Sequence, residues 1–360
     1  MRIAQVAPLA ESVPPNLYGR TERVVAWLTE ELIDLGHDVT LFASGDSVTR
    51  AELVPVIPRG LRLSRGHGEP VSAHAILLDK LAARAGDFDV IHCHTDWLHL
   101  PLLRQLQTPF LTTLHGRLDL PPLAATVRQF ADTAFVSISH HQRRPLSDLP
   151  WLATVHHGLP PGMLKPGVGG REYLAFLGRL SPEKGAHIAI RWARAAGLPL
   201  RIAAKLPRSE SRYFKEEIEP FVNGNEVQFV GEVDDGGKAA FLGGAKALLF
   251  PIRWPEPFGL VMIEAMACGT PVIALPSGSV PEIISNGTTG FIVNNDDEAL
   301  DAVNRIGELE PSTVRAEFER RFAARRMTQD YLQCYEQLLQ RSPLASVIAG
   351  EHSGKLAQPA

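Results

Sequence analysis

Residues 253–274 read RWPEPFGLVMIEAMACGTPVIA, and two carboxylates, Glu256 and Glu264, bracket the apolar run FGLVMI. A carboxylate taken out of water needs a partner, so each either faces solvent or binds something. ALLFPI (247–252) reads as a strand, RWPEPFG as the turn after it, and a helix is expected from near Phe258 and Gly259. Glu256 then lies at a strand's carboxyl end beside a helix N-terminus, where negative charge is favoured. The amides of Phe258, Gly259 and Leu260 are donors there without intrahelical acceptors. Glu264, further along that helix next to Met262 and Ile263, is suited to accept a pair of ribose hydroxyls. The residues alone leave a second reading open: a capping Glu256 and a core Glu264 satisfied by backbone groups.

A second constellation is FLGRLSPEKG (176–185). Its strand ends at Gly178, and Arg179 and Lys184 follow in the turn before the next helix. Helix N-termini favour anions. A guanidinium can grip two oxygens while a lysine adds a point charge, so the pair suits a diphosphate. A loop of solvated charges is the competing reading. GxxxxGK[ST] is absent, so this is not a P-loop.

The elements that must position these residues alternate. RIAQVA (2–7), DVTLFA (38–43), DVIHCH (89–94), PFLTTLH (109–115), AFVSIS (134–139) and ATVHHG (153–158) read as strands, with helices over 21–37 and 73–86. The pattern restarts with EYLAFLG (172–178), LRIAA (200–204), VQFVGEV (227–233), ALLFPI, PVIAL (271–275) and GFIV (290–293), between helices over 186–197, 212–222, KAAFLGGA, GLVMIEAMACG and from about 297. Strands alternating with helices imply parallel βαβ units. The expected architecture is α/β, two open domains joined through the Pro/Gly-rich stretch 159–171, with one long helix or two over 314–341 and a frayed tail over 342–360. Ligands are expected outside the carboxyl ends of the strands.

The pattern E-P-F-G-L-V-M-I-E resembles the E-x7-E motif of the retaining glycosyltransferases of family 4, which have the GT-B fold. RIAQVAP…YGRTERVV, DVIHCHTDW, FLTTLHG, VSIS, FLGRLSPEKG and EAMACGTPVIALPSGSVPEIISNGTTGFIV are similar to further parts of that family, and the likeness covers roughly residues 1 to 340. It implies two Rossmann-like domains facing across a cleft: 1–160 on the acceptor side and 161–324 for the nucleotide sugar, with a helix over about 325–341 packing back on the first. It also implies roles. Arg179 and Lys184 would hold the diphosphate, Glu264 the ribose, and Glu256 with the amides of Phe258, Gly259 and Leu260 the transferred sugar. His115 would face that sugar from the first domain, and Gly19 would let the first loop approach the diphosphate. Lys205 and Val233 would border the nucleobase. The family's loop usually carries Gly-Gly where this chain has Gly19-Arg20, so Arg20 either adds a phosphate contact or narrows the site. Position just after a strand makes His94 and Asp96 acceptor-side candidates.

Other signals are read as structural. Asp87-Phe88-Asp89 is a DxD string at a strand's amino end, read as a helix end and turn. His92, His94 and His99 lack the carboxylates of a hard-metal site, so no metal and no cofactor is expected. HHQRR (140–144) and the arginine-rich stretch 315–326 are read as solvated basic faces rather than lipid contacts. A formal net charge of −4 argues against nucleic acid as a partner. Three scattered cysteines give no disulfide or zinc pattern, which favours a reducing, cytoplasmic compartment. No apolar run is long enough to span a bilayer, and peripheral membrane contact is not indicated. The expected partners are a nucleotide-diphospho-sugar, UDP-glucose foremost and GDP-sugars next, and an unidentified hydroxyl acceptor bordered by the loop 55–72. A sugar-nucleotide epimerase on the same fold and a non-catalytic sugar-nucleotide binder remain the alternatives. A hydride-transferring enzyme is disfavoured by the absence of GxGxxG, and a phosphorylase by the absence of a pyridoxal-phosphate lysine in context.

Overall fold

The computed structural model describes residues 1–15, 19–62, 69–167 and 170–341. Parts of the first loop and of the 55–72 loop, and the whole 342–360 tail, lie outside the described residues.

Thirteen strands are described: β1 (Arg2–Val6), β2 (Asp38–Ala43), β3 (Glu52–Pro55), β4 (Val90–Cys93), β5 (Phe110–Thr113), β6 (Ala134–Ser137), β7 (Ala153–Thr154), β8 (Tyr173–Arg179), β9 (Leu200–Lys205), β10 (Val227–Gly231), β11 (Ala245–Phe250), β12 (Val272–Ala274) and β13 (Gly290–Ile292). They form two sheets, β3-β2-β1-β4-β5-β6-β7 and β10-β9-β8-β11-β12-β13. Every described pairing is parallel. Strands covered on both faces read as near-continuous apolar runs, which is why most were visible in the sequence. In each sheet the order reverses once, between β1 and β4 and between β8 and β11. Outside the carboxyl ends of such a pair the two flanking loops diverge and leave room for a ligand.

The chain divides into two compact units. One comprises residues 1–138, 145–155 and those from Met327 on; the other comprises 139–144 and 156–326. In the first, Phe42, Leu77, Leu81, Phe88 and Ile91 pack under the sheet. In the second, Phe176, Ile188, Trp192, Ile202 and Leu249 do so.

Several local expectations change. β3 was not visible because it is an edge strand with a half-exposed pattern, where a proline is tolerated. The helix expected over 212–222 is a run of short, irregular turns. Pro220 removes a donor and clashes with the preceding turn. A helix over Pro121–Gln129 was missed. The last segment is two helices, Pro311–Phe322 and Ala324–Arg341. They break at Ala323, whose extended backbone bridges to Leu159. The amides of Leu159 and Ala324 donate to Phe322 and Leu159, each at 3.0 Å. Gly158 is needed beside this bridge, since a Cβ there would sit 2.4 Å from the Ala323 carbonyl oxygen. The strand expected over 153–158 stops at Thr154. Beyond it the carbonyls of His156 and His157 accept from Arg326, and the His156 ring turns to Glu282 at 3.1 Å. Glu282 also accepts from the amides of His140 and His141 at 2.7 Å, which fastens residues 139–144 to the second unit. Burial alone would raise this carboxyl's pKa, but those hydrogen bonds outweigh it and hold it below the usual range.

The basic segments are not simply solvated faces. Arg315 donates to the carbonyls of Pro161 and Leu164 at 2.7 Å and to that of Ala267. Arg321 donates to the carbonyls of Glu282 and Ile283 and to Ser285 Oγ. Arg320 does face solvent, paired with Glu317. Helix C-termini and loops leave carbonyls without partners, and these arginines satisfy them. Among the described residues no helix is long and apolar enough to cross a membrane.

Removing a donor from part-buried carbonyls leaves them unsatisfied. Arg315→Ala is therefore expected to destabilise the second unit by about 1–3 kcal/mol, and Arg320→Ala by no more than about 0.5 kcal/mol. The check is the midpoint of urea unfolding for the two variants side by side.

Candidate active site

In the second unit the flagged side chains gather at one sheet edge. Arg179 is the last residue of β8 and Lys205 the last of β9. Val233 follows β10 and directly precedes Asp234, the N-cap of the helix Asp235–Gly243. Glu256, Phe258, Gly259 and Leu260 follow β11 and lead into the helix Leu260–Ala267. All lie at the carboxyl ends of their strands, with the β8 and β11 turns at the point where the strand order reverses.

The question posed by Glu256 and Glu264 has a structural answer. Both are buried, at 2% and 5% exposure, and each meets a lysine. Glu256 Oε2 accepts from Lys184 Nζ, and from Trp254 Nε1 at 2.9 Å. The Lys184 ammonium also lies 4.5 Å from the centre of the Trp254 ring, a cation–π contact. Lys184 is itself 5% exposed, so this is an ion pair shielded from water. Glu264 Oε1 accepts from Lys238 Nζ at 2.7 Å, and Lys238 also meets Asp235 at 3.2 Å. The helix that starts at Leu260 takes Gly259 as its N-cap, with no side-chain cap bond from that residue, and Glu256 Oε2 is turned to Lys184 and Trp254. The reading of Glu264 as satisfied by backbone groups gives way to the Lys238 pair. Lys238 was missed. The one sequence signal for it is a lysine in the first turn of a helix that follows a strand of the same sheet.

Backbone shape fixes these turns. Gly259 is the N-cap at φ 80° and Gly185 follows Lys184 at φ 77°, both in the left-handed region that favours glycine. Gly278, at φ 63°, passes so close to Glu256 that a Cβ would lie 2.3 Å from its backbone nitrogen. Ser279 donates from N to the Glu256 carbonyl at 3.0 Å and from Oγ to the Phe258 carbonyl at 2.7 Å. The Phe258 ring is buried against His157, with centroids 4.9 Å apart, so its backbone rather than its ring serves the turn. Arg179 is half-exposed and paired with Glu183 at 2.8 Å, at the mouth of the same turn.

In the first unit, His94 and His115 follow β4 and β5. His94 Nδ1 and His115 Nε2 are 2.8 Å apart. Burial lowers the His115 pKa to about 3, so its ring is neutral at working pH. His92 and His94 share a face, as strand alternation requires, with ring centroids 4.0 Å apart. His92 and His99 are bonded to hydroxyls of threonine and tyrosine. Asp96 is exposed, at φ 53°. Gly19 caps the helix Arg20–Asp34; a Cβ there would lie 2.7 Å from Pro15 Cβ, so local packing also demands glycine. Arg20 opens that helix. In the DxD string, Asp89 pairs with Arg2 and Asp87 with Arg84. Among the described residues no group of three potential ligands is placed to hold a metal ion.

Two parallel α/β units, each with one reversal of strand order and with flagged residues at the carboxyl ends of its strands, define a GT-B glycosyltransferase architecture. Residues 165–326 match the family described as Glycosyl transferases group 1, and residues 21–160 match Glycosyltransferase Family 4; the chain belongs to this glycosyltransferase family. It is 28% identical over 360 residues to a phosphatidyl-myo-inositol mannosyltransferase of Mycolicibacterium smegmatis, covering 90% of this chain and 89% of that protein. It is also 28% identical over 374 residues to a glycogen synthase of Mycobacterium tuberculosis, covering 88% and 89%. Among solved structures, AviGT4, a glycosyltransferase involved in avilamycin A biosynthesis, superposes with a TM-score of 0.73 at 26% identity, over 94% of this chain and 98% of that one.

The Lys184–Glu256 pair makes a stability prediction with a built-in control. Lys184→Met alone is expected to destabilise the second unit by about 3–5 kcal/mol, because Glu256 stays buried without its cation; Lys184→Met combined with Glu256→Leu should recover most of that loss. Urea titration of both variants checks it, and equal losses would show that the two ions are not coupled.

Proposed function

We propose that this chain is a retaining hexosyltransferase that moves a sugar from a nucleotide-diphospho-sugar, UDP-glucose foremost, to a hydroxyl acceptor. The observation that carries the reading is the shielded Lys184–Glu256 pair at the carboxyl ends of β8 and β11, beside the uncapped helix start at Leu260. The amides of Phe258, Gly259 and Leu260 and the Lys184 ammonium are fixed donors for an anion, and the half-exposed Arg179 adds a fork suited to a diphosphate. Glu264 spends Oε1 on Lys238, which leaves Oε2 for a ribose hydroxyl. Lys205 and Val233, at the ends of the neighbouring strands, border the nucleobase. A relative named for mannosyl transfer supports a hexose as the sugar. A reducing, cytoplasmic setting accords with three buried, free cysteines.

Neither carboxylate of the motif is left as a nucleophile toward the sugar: Glu256 is bound to Lys184, and Glu264 to Lys238. Attack therefore comes from the leaving-group face. The bond from the anomeric carbon to the phosphate oxygen breaks, and one to the acceptor oxygen forms on the same face. The acceptor's proton passes to the departing phosphate oxygen. Arg179 and Lys184 stabilise the charge that develops there, so catalysis is positioning plus electrostatics. His115, neutral throughout, offers the sugar a hydrogen bond rather than a charge.

The test is thermal stability with UDP-, GDP-, ADP- and dTDP-sugars, for the native chain and Glu264→Ala. A ligand at a hundredfold excess over its Kd adds about 2.7 kcal/mol. One donor should raise the melting temperature of the native chain, and the variant should lose that rise. Product NMR with that donor should show the anomeric configuration retained. No rise with any donor would overturn the donor assignment; a trapped sugar–enzyme adduct would overturn the single-face mechanism.

A further inference from the structure

One continuous hydrogen-bonded chain runs through the first unit from His115 to the helix Ala324–Arg341. His115 Nε2 meets His94 Nδ1 at 2.8 Å, and His94 Nε2 meets Gln5 Oε1 at 2.9 Å. Gln5 Nε2 donates to Tyr335 Oη at 3.1 Å, and Tyr335 Oη meets His92 Nδ1 at 2.8 Å. His92 Nε2 meets Thr113 Oγ1 at 2.8 Å, and Thr113 Oγ1 donates to Tyr331 Oη at 3.1 Å. Gln5, His92, Thr113, Tyr331 and Tyr335 are all fully buried, so water does not compete for these bonds.

The chain has a direction, and one residue sets it. A hydroxyl or a neutral imidazole can pass a hydrogen bond along in either sense, because each both donates and accepts. A primary amide cannot: its oxygen only accepts and its nitrogen only donates. Gln5 turns its oxygen to His94 and its nitrogen to Tyr335. His94 must then carry its proton on Nε2, leaving Nδ1 as an acceptor, so His115 must carry its proton on Nε2 to donate to it. On the far side Tyr335 accepts from Gln5 and gives its own proton to His92 Nδ1. His92 then donates from Nε2 to Thr113, which donates to Tyr331. Each link of the chain then pairs one donor with one acceptor, provided the rings are neutral. Burial supplies that condition, lowering the His92 and His115 pKa values.

We infer that Gln5 and Tyr335 are positioning residues for His115: the helix Ala324–Arg341, through the Tyr335 hydroxyl, holds the Gln5 amide in the setting that fixes His115 as its Nε2–H tautomer and leaves Nδ1 as the accepting nitrogen. This rests on the proposed role of His115 toward the sugar, where an accepting nitrogen suits a hydroxyl. Gln5 and Tyr335 are 330 residues apart in sequence, so the helix Ala324–Arg341 reaches the chemistry of His115 through the Tyr335 hydroxyl.

The test is NMR of the full chain with ¹⁵N-labelled histidine, the His115 signals being assigned by their loss in His115→Asn. The native chain should show a protonated Nε2 and an unprotonated Nδ1 at His115. Tyr335→Phe removes only the hydroxyl, and Gln5→Met removes the amide at similar volume. Each should move the His115 signals toward a mixture of tautomers and lower kcat several-fold with little change in donor KM. Cys334→Ala, on the same helix but outside the chain, should leave the tautomer unchanged. If Tyr335→Phe does not fold, Gln5→Met tests the same link. A native His115 protonated on Nδ1 would mean that the Gln5 amide is set the other way and would overturn the inference. So would a tautomer that neither variant alters. A tautomer that shifts without any change in kcat would uphold the chain of hydrogen bonds and sink the sugar-contact reading of His115 instead.

Discussion

The second unit's site depends on one buried ion pair. Moving two charges out of water is expensive, and their attraction compensates only where geometry is tight and further hydrogen bonds help. Lys184 and Glu256 come from different turns, 72 residues apart, so neither turn can settle without the other. The Trp254 indole adds an N–H to the carboxylate and a ring face to the ammonium. Gly185 lets the first turn pass where a Cβ would sit 2.4 Å from the Pro251 carbonyl oxygen, and Gly278 leaves the second turn its room. Once the pair is made, the start of the helix at Leu260 is aimed, and with it the backbone amides that could meet an anion.

The first unit buries polar groups by another means. Burial keeps His92 and His115 neutral, and the chain from His115 to Tyr331 runs through imidazoles, hydroxyls and one amide. The two solutions suit different ligands. Fixed charges and amides recognise phosphate, where strength matters. Neutral groups with a set direction recognise hydroxyls, where the sense of each hydrogen bond matters, because a site built to pair with a hydroxyl rejects a ligand that leaves a polar group unpaired. A sugar nucleotide presents both kinds of group.

What the sequence revealed was local. Strands buried on both faces showed as apolar runs, and Arg179, Lys184, Glu256 and Glu264 showed because their types and neighbours within a dozen residues were informative. What it hid was mostly long-range. Lys238 was an ordinary helix lysine until folding set it against Glu264, 26 residues on. Gln5 was one polar letter in a buried strand, and that was its signal: a polar side chain inside β1 had to have a partner, but nothing in the sequence placed it on Tyr335. Arg315, Arg321 and Arg326 were misread as solvated because a carbonyl acceptor leaves no mark on side-chain pattern. β3 stayed hidden because an edge strand needs no apolar run, and the helical reading of 212–222 holds as a succession of short, irregular helical turns rather than one regular helix.

The Lys238–Glu264 pair links two neighbouring parts of the proposed donor site. β10 shifts register between Phe229 and Gly231, and Gly231 turns at φ 77°; such irregularities re-aim the chain that follows. That chain carries Val233, the capping Asp234, and the helix on which Asp235 and Lys238 meet. Lys238 then reaches Glu264 on the next helix. The segment that carries Val233 and the carboxylate proposed for the ribose are thus tied through one lysine, so a change over 231–237 acts on Glu264 by way of Lys238. Because Lys238 holds one carboxylate oxygen, it also sets which way the other points. Under the proposed donor reading, orientation of the nucleoside would be set at this joint and the grip on the phosphates at Lys184 and Glu256.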